Sequence, residues 1–274
     1  MAGKVDLYDN AYANYDAEVY RQIRVETYGE DLGQTSWVSS EESQEIPRTL
    51  RLTPSSYALE IGCGSGRYAL QIVATVGCRV VGLDTNGPGI ETARQLAAVR
   101  TMAEQARFEI CDAAEKLPFG DSTFDAAFAN DVLCHLSGRL RVLRELFRVL
   151  KPGGRMLFSD ALVIGGLISQ QEIATRSSIG FYIFSPPGEN ERIIREAGFR
   201  LESASDTSEH AALVAQRWRD AREKRKEALL TIESPANYEG LQQFLSTVQA
   251  LTSERRLLRY IYVAEKPGDS TASN

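Results

Sequence analysis

Between about residues 57 and 162 the chain alternates short apolar runs with longer stretches whose apolar residues recur every third or fourth position. The runs at 57–61, 79–84 (RVVGLD), 108–111, 124–129 and 156–161 predict five strands. The periodic stretches at 67–76, 89–103 and 139–150 predict helices, the last stopped by KPGG. Two later strands are expected around 199–204 and 260–264. Strands alternating with helices at this spacing imply a parallel sheet covered on both faces. The expected fold is α/β, a Rossmann-like, doubly wound, mostly parallel sheet of seven strands.

Three segments stand outside the alternation: 1–52, 163–185 and 208–254. The first is rich in tyrosine and is expected to form an N-terminal helical lid. The other two are expected as helical cap insertions in a main domain spanning 53–274. The tail from 267 is expected to be disordered. The run RWRDAREKRKE (217–227) mixes charge signs at helical spacing and is expected to be a solvated helix face. No internal repeat interrupts this plan.

Composition narrows the class. The 274 residues are 43% hydrophobic and 25% charged, values of an ordinary globular protein. With 31 basic and 37 acidic residues the net charge is −6, which argues against a nucleic-acid surface. The start, MAGKVDLYDN, has no apolar core for a signal peptide, and the longest apolar run, 161–168, is too short for a bilayer. Cys63, Cys78, Cys111 and Cys134 lack metal-ligand spacing and are expected as reduced thiols in a cytoplasmic protein without a metal.

The first strand-to-helix turn reads ALEIGCGSGRYAL. Gly62, Gly64 and Gly66 let backbone pass close to a ligand, and the helix starting at Arg67 offers free amides. A dinucleotide fingerprint starting at Gly62 fails at Arg67, and one starting at Gly64 leaves Glu60 unexplained. A carboxylate at Glu60 disfavours a pyrophosphate and suits a cationic ligand. Asp84 ends the second strand, where a carboxylate accepts bonds from ribose hydroxyls. Asp112 follows the third, placed to bind an adenine amino group. S-adenosyl-L-methionine carries an ammonium, a sulfonium and no phosphate, and it fits three such acids.

LEIGCGSG (59–66), VVGLD (80–84), CDAAEKLPFGDSTFD (111–125) and RVLKPGG (148–154) resemble the class I S-adenosylmethionine-dependent methyltransferases over about residues 55–162. The resemblance implies a cofactor site with Glu60, Gly62, Cys63, Gly64, Gly66, Asp84, Thr85, Asp112, Ala113 and Asn130. More loosely, the N-terminal tyrosines, SD at 159–160, EAGF at 196–199 and YIYVAEKP near the end are similar to small-molecule N-methyltransferases of the phosphoethanolamine and sarcosine/dimethylglycine type. In the phosphoethanolamine enzymes the segment matching NDVLCHL ends in a catalytic histidine paired with an N-terminal tyrosine. This implies His135 as catalytic residue, with Tyr12 as the best-matched tyrosine and Tyr20 next.

Imidazole is a base suited to neutral pH, and a position just past the fourth strand faces the cofactor crevice. Asp131 is expected beside it as an acceptor-binding residue, with Arg176 and Tyr182 from the second cap segment. Gln34 and Trp37 are expected to close over the cofactor, and His210 to lie on the surface. The expected function is methyl transfer to the nitrogen or oxygen of a small molecule. A C-methyltransferase of natural products and a non-catalytic cofactor binder are the alternatives. A nicotinamide oxidoreductase is disfavoured by Glu60. An adenine N-methyltransferase is disfavoured by NDVL at 130–133, which lacks the proline-proline-aromatic sequence.

Overall fold

The computed structural model describes residues 5–31, 33 and 35–268. The expected disordered tail therefore lies largely outside the described residues, as does Gln34. Three helices come first, α1 (Tyr8–Ala13), α2 (Glu18–Tyr28) and α3 (Ser40–Thr49). Ser39 starts α3 with a capping box, its hydroxyl accepting from the Glu42 amide while the Glu42 carboxylate reaches back to the Ser39 amide. The alternating core follows as β1 (Tyr57–Ile61), α4 (Arg67–Val76), β2 (Arg79–Asp84), α5 (Gly87–Val99), β3 (Ala106–Ile110), β4 (Phe124–Ala129), α6 (Arg139–Val149) and β5 (Leu150–Ile164). Then come α7 (Gln170–Arg176), α8 (Glu189–Glu196), β6 (Arg200–Asp206), α9 (Ser208–Glu223), α10 (Lys226–Leu229), α11 (Pro235–Ser253) and β7 (Leu257–Glu265).

The strands form one seven-stranded sheet in the order β3-β2-β1-β4-β5-β7-β6. Neighbours from β3 to β5 run parallel, and β7 lies antiparallel between β5 and β6. The order reverses between β1 and β4, and ligands of open α/β sheets bind at the carboxyl ends of strands beside such a reversal. Strand β5 is longer than its apolar run, starting at the KPGG turn. Its pairing with β7 continues past a register shift between Asp160 and Val163.

Period-two burial assigns the two sheet faces. Leu59 and Ile61 pack with α6 and α8 residues such as Leu143 and Ile194, whereas Ala58 packs with Ala69, Leu70 and Val73 of α4. A third cluster joins the N-terminal segment (Leu7, Tyr20, Ile23, Trp37) to α9 and α11 through Trp218, Leu241 and Phe244. The N-terminal helices and the 208–254 segment thus share one apolar core above the sheet.

The 217–227 run is not uniformly solvated, which corrects the expectation from its charge pattern. Arg222 is buried and forms a two-pronged pair with Glu233, at 3.0 and 2.7 Å, and Arg225 reaches Glu26 of α2. A buried pair is costly to halve, because the remaining charge has no water. Glu233→Ala should lower unfolding stability by about 3–5 kcal/mol in urea titration. The double variant Arg222→Met, Glu233→Leu should regain most of it. A single variant unfolding at the wild-type midpoint would show that the pair contributes nothing.

Candidate active site

A cavity of about 400 Å³ opens at the carboxyl ends of β1, β2 and β4. Its floor is the turn after β1, with Gly62, Cys63, Gly64 and Ser65, and its side walls include Asp84, Thr85, Cys111, Ala113 and Asn130. Tyr8, Tyr12, Trp37, Arg176 and Tyr182 cover it from above.

The floor is built from backbone. The Gly62 and Cys63 amides donate to the Leu83 carbonyl, at 2.7 and 3.0 Å. The Gly64 amide donates to Asp84 Oδ2 at 2.8 Å, and Asp84 Oδ1 accepts from the Asn86 amide at 2.8 Å. Gly62 and Gly64 have φ of +69° and +50°. A Cβ on Gly62 would strike Val132, and one on Gly64 would strike the Tyr12 hydroxyl. No other residue type meets both demands.

Three of the residues expected at the cofactor do not line the cavity. Glu60 shares the strand face of Ala58, under α4, and among the described residues neither carboxylate oxygen has a partner within ordinary hydrogen-bond geometry. Burial pushes its pKa well above the usual carboxylate range, an effect the nearby Ala69 amide only partly offsets. Gly66 caps α4 in a left-handed conformation against Phe108 and Ala93. Asp112 is exposed and its carboxylate accepts from the Ala114 amide at 2.8 Å, so Cys111 and Ala113 take the place at the wall.

The tyrosines are sorted differently from expectation. His135, in a short 3₁₀ turn (Leu133–His135), meets Tyr8, whose hydroxyl lies 3.2 Å from Nε2. Tyr12 instead stands over the glycine turn, 3.4 Å from the Thr35 hydroxyl. Tyr20 is outside the cavity: its hydroxyl donates to Glu233 at 2.5 Å, within the pair that holds Arg222. Its helix, α2, turns that side chain toward α9 and α11, which removes it from the expected catalytic pair.

Asp131 lines the cavity, but its carboxylate is occupied. It accepts from the Trp37 amide (2.9 Å), the Ser159 hydroxyl (2.8 Å) and Arg259 Nε (3.0 Å). It therefore positions the wall, in place of the acceptor contact expected for it. Trp37 lends the cavity an edge while its ring packs between Trp218 and Phe244, at centroid distances of 6.0 and 6.1 Å. Asn130 Nδ2 and Arg67 Nε are buried at the cavity with no partner among the described residues. Asn130 stands where the resemblance implies it, whereas Arg67 is a donor that the sequence reading misses, because its one visible effect there is to break a glycine pattern. His210 is half exposed and pairs with Glu42 at 3.1 Å.

His135 Nδ1 lies 3.0 Å from the Phe181 carbonyl, which can only accept. Nδ1 therefore carries the proton and Nε2 presents a lone pair toward the cavity. Burial first, and then the Arg176 charge, lower the imidazole pKa below its ordinary value, while the Phe181 carbonyl works in the opposite direction. The Tyr182 ring lies against the imidazole, tilted by 38° at a centroid distance of 4.3 Å. Burial raises the Tyr8 hydroxyl well above its ordinary pKa, so it stays a phenol. Among the described residues no cluster of three or more His, Cys, Asp or Glu is arranged to hold a metal ion, and no helix is long and apolar enough to cross a membrane.

A folded-state pKa below the unfolded one means that the native state binds fewer protons there. This histidine then adds stability as pH rises through the range just under the ordinary histidine pKa, and loses it on acidification. Nitrogen-detected NMR of His135 should find the Nδ1–H tautomer at neutral pH and a midpoint below that of a free histidine. An Nε2–H tautomer or a raised midpoint would contradict the geometry.

The family model described as "Methyltransferase domain" matches residues 59–158. The chain is 29% identical to 27-O-demethylrifamycin SV methyltransferase of Amycolatopsis mediterranei, covering 92% of this chain and 91% of that protein. It is 27% identical to glycine/sarcosine/dimethylglycine N-methyltransferase of Actinopolyspora halophila, covering 65% of this chain and 35% of the relative. Its fold matches Haemonchus contortus phosphoethanolamine N-methyltransferase 2 in complex with phosphomonomethylethanolamine and S-adenosylhomocysteine. That match has a TM-score of 0.79 at 21% identity, over 95% of this chain and 60% of the other. Gly62, Gly64 and Asp84 at the reversal of strand order, with the unpaired donor of Asn130 beside them, fit the same ligand. The chain therefore carries a methyltransferase domain at residues 59–158, in the fold of solved S-adenosylmethionine-dependent methyltransferases.

Proposed function

We propose that the protein methylates a small molecule, with His135 as the general base and Tyr8 as its hydroxyl partner. The carrying observation is a neutral imidazole whose Nε2 faces Tyr8 inside the cavity that the glycine turn floors. When bound, S-adenosylmethionine supplies an activated methyl group, and Gly62, Cys63, Gly64, Asp84, Thr85, Ala113 and Asn130 would hold it. Asp84 retains acceptor capacity beyond its two amide bonds, which supports a diol at that wall.

His135 Nε2 takes a proton from the acceptor, and the Phe181 carbonyl stabilises the imidazolium that results. Tyr8 occupies Nε2 until an acceptor replaces it, which keeps the lone pair oriented. Arg176 and Tyr182 are proposed at the acceptor side of the cavity, and Tyr12 and Trp37 at its cover. The N-terminal helices act as a lid that excludes water, a role supported by the Tyr8 and Tyr12 contacts and by the Asn86 to Asp9 bond of 2.9 Å. The free thiols at Cys63, Cys78, Cys111 and Cys134 support a reducing, cytoplasmic location.

His135→Ala should lower kcat by roughly a hundredfold or more, as loss of a general base does, with little change in cofactor affinity. Tyr8→Phe should cost less, and Tyr20→Phe should leave kcat unchanged. Wild-type rates on the identified acceptor, in His135→Ala, would return the histidine to a structural role. Asp84→Ala should weaken calorimetric binding of S-adenosylhomocysteine by about 1.5–3 kcal/mol per lost charged hydrogen bond. Equal affinity would remove Asp84 from the ribose site.

A further inference from the structure

Arg176 has no role yet in binding the methyl donor or moving the proton. It is only 1% exposed, lines the cavity, and has no hydrogen-bond partner on Nε or Nη1 among the described residues. Its guanidinium packs against three rings, with Cζ 4.5 Å from the Tyr182 centroid, 5.1 Å from Phe244 and 5.7 Å from Trp37, and it also meets the neutral Tyr182 hydroxyl. Such a buried cation normally carries a carboxylate partner. The two carboxylates nearest the base are already taken, Asp131 by Arg259 at 3.0 Å and Asp160 by Arg139 at 2.5 Å. The remaining titratable groups around it, Tyr8 and Tyr182 and the thiol of Cys134, are kept neutral by burial. Among the described residues Arg176 is thus a buried cation with no counter-charge beside it.

We propose that the counter-charge is the acceptor itself, an acidic hydroxyl such as a phenol or enol that reacts as its oxyanion. This rests on the methyltransferase reading with His135 as base, and it selects oxygen over nitrogen. An amine acceptor would enter as an ammonium beside Arg176 and a sulfonium, placing three like charges in one cavity. An oxyanion between Arg176 and the imidazolium is attracted to both, one negative charge set against two positive ones. Tyr182 touches the two groups, His135 on its ring at 4.3 Å and Arg176 at 4.5 Å, so they share one wall. The acceptor O–H bond breaks with its proton on His135 Nε2 and its electron pair on oxygen. That pair forms the O–CH₃ bond as the carbon–sulfur pair returns to sulfur, and the imidazolium then yields its proton to water. Phe181, 61% exposed at the cavity mouth, offers an apolar face to the body of such a molecule.

The test uses 4-nitrophenol, whose neutral and ionised forms absorb differently, added to the protein saturated with S-adenosylhomocysteine. The bound dye should ionise with a pKa lowered by about one unit or more, the effect of a close opposite charge. Arg176→Met should remove the shift and Arg176→Lys should keep part of it. Benzylamine at neutral pH should displace the dye far less well than phenol does. A bound dye with its solution pKa, no binding at millimolar dye, an unchanged shift in Arg176→Met, or preferential displacement by benzylamine would each overturn the proposal. Failure of S-adenosylhomocysteine to bind would instead strike the methyltransferase reading beneath it.

Discussion

The carboxylate of Asp131 is the point on which the crevice depends. It sits just past β4 in a left-handed conformation, φ +57°, and gathers the Trp37 amide, the Ser159 hydroxyl and Arg259 Nε. Arg259, on β7, reaches both carboxylate oxygens of Glu42 at 3.0 Å and the Thr207 hydroxyl at 2.7 Å. One buried pair therefore ties together β4, β5, β7, the segment leading into α3 and the start of α9. Buried pairs add little net stability over apolar substitutes, yet breaking one is expensive, so they fix an arrangement more than they strengthen it. What is fixed here is the exit direction of β4. Asn130 and His135 face one cavity because Asp131, which lies between them in the chain, cannot turn elsewhere.

Much of this plan was legible in the sequence because it follows from periodicity. Period-two and period-3.6 patterns depend only on which face is buried, and they gave the strands, the helices and the glycine turn. The strand ends were harder. Glu60, Asp84 and Asp112 look equivalent as acids after apolar runs, but burial separates them. Glu60 has the parity of Ala58 and so points under α4, while Asp84 ends its strand over the Gly64 amide. Asp112 spends its carboxylate on its own turn. The parity of Glu60 could have been read in advance, whereas the Asp112 turn depends on loop geometry that no periodicity encodes.

The tyrosines carry the same lesson. Tyr8 and Tyr12 are four residues apart on α1 and so share one helix face. That face covers the cavity, with Tyr8 above His135 and Tyr12 above Gly64. Tyr20 lies on a separate helix, where a buried arginine–glutamate pair claims its hydroxyl. Arg222 sits in a stretch of alternating charge that reads as solvated, because the partner that buries it, Glu233, lies beyond the end of α9. Long-range partners of that kind leave no local mark.

The two halves of the site consequently have different origins. The proposed donor half, with Gly62, Gly64, Asp84, Ala113 and Asn130, lies wholly inside the matched segment 59–158 and is built by the sheet itself. His135 belongs to that segment too, since it hangs from the end of β4. The proposed acceptor half comes from Tyr8, Trp37, Arg176 and Tyr182, all outside it, on helices and loops that pack over the sheet. A scaffold divided in this way can hold donor geometry constant while the covering segments change what is admitted. Likeness in the sheet therefore argues for methyl transfer and is silent on the acceptor. The acceptor must be sought in the charge and shape of the cover, where Arg176, set among three aromatic rings and paired with no acid among the described residues, is the most informative residue.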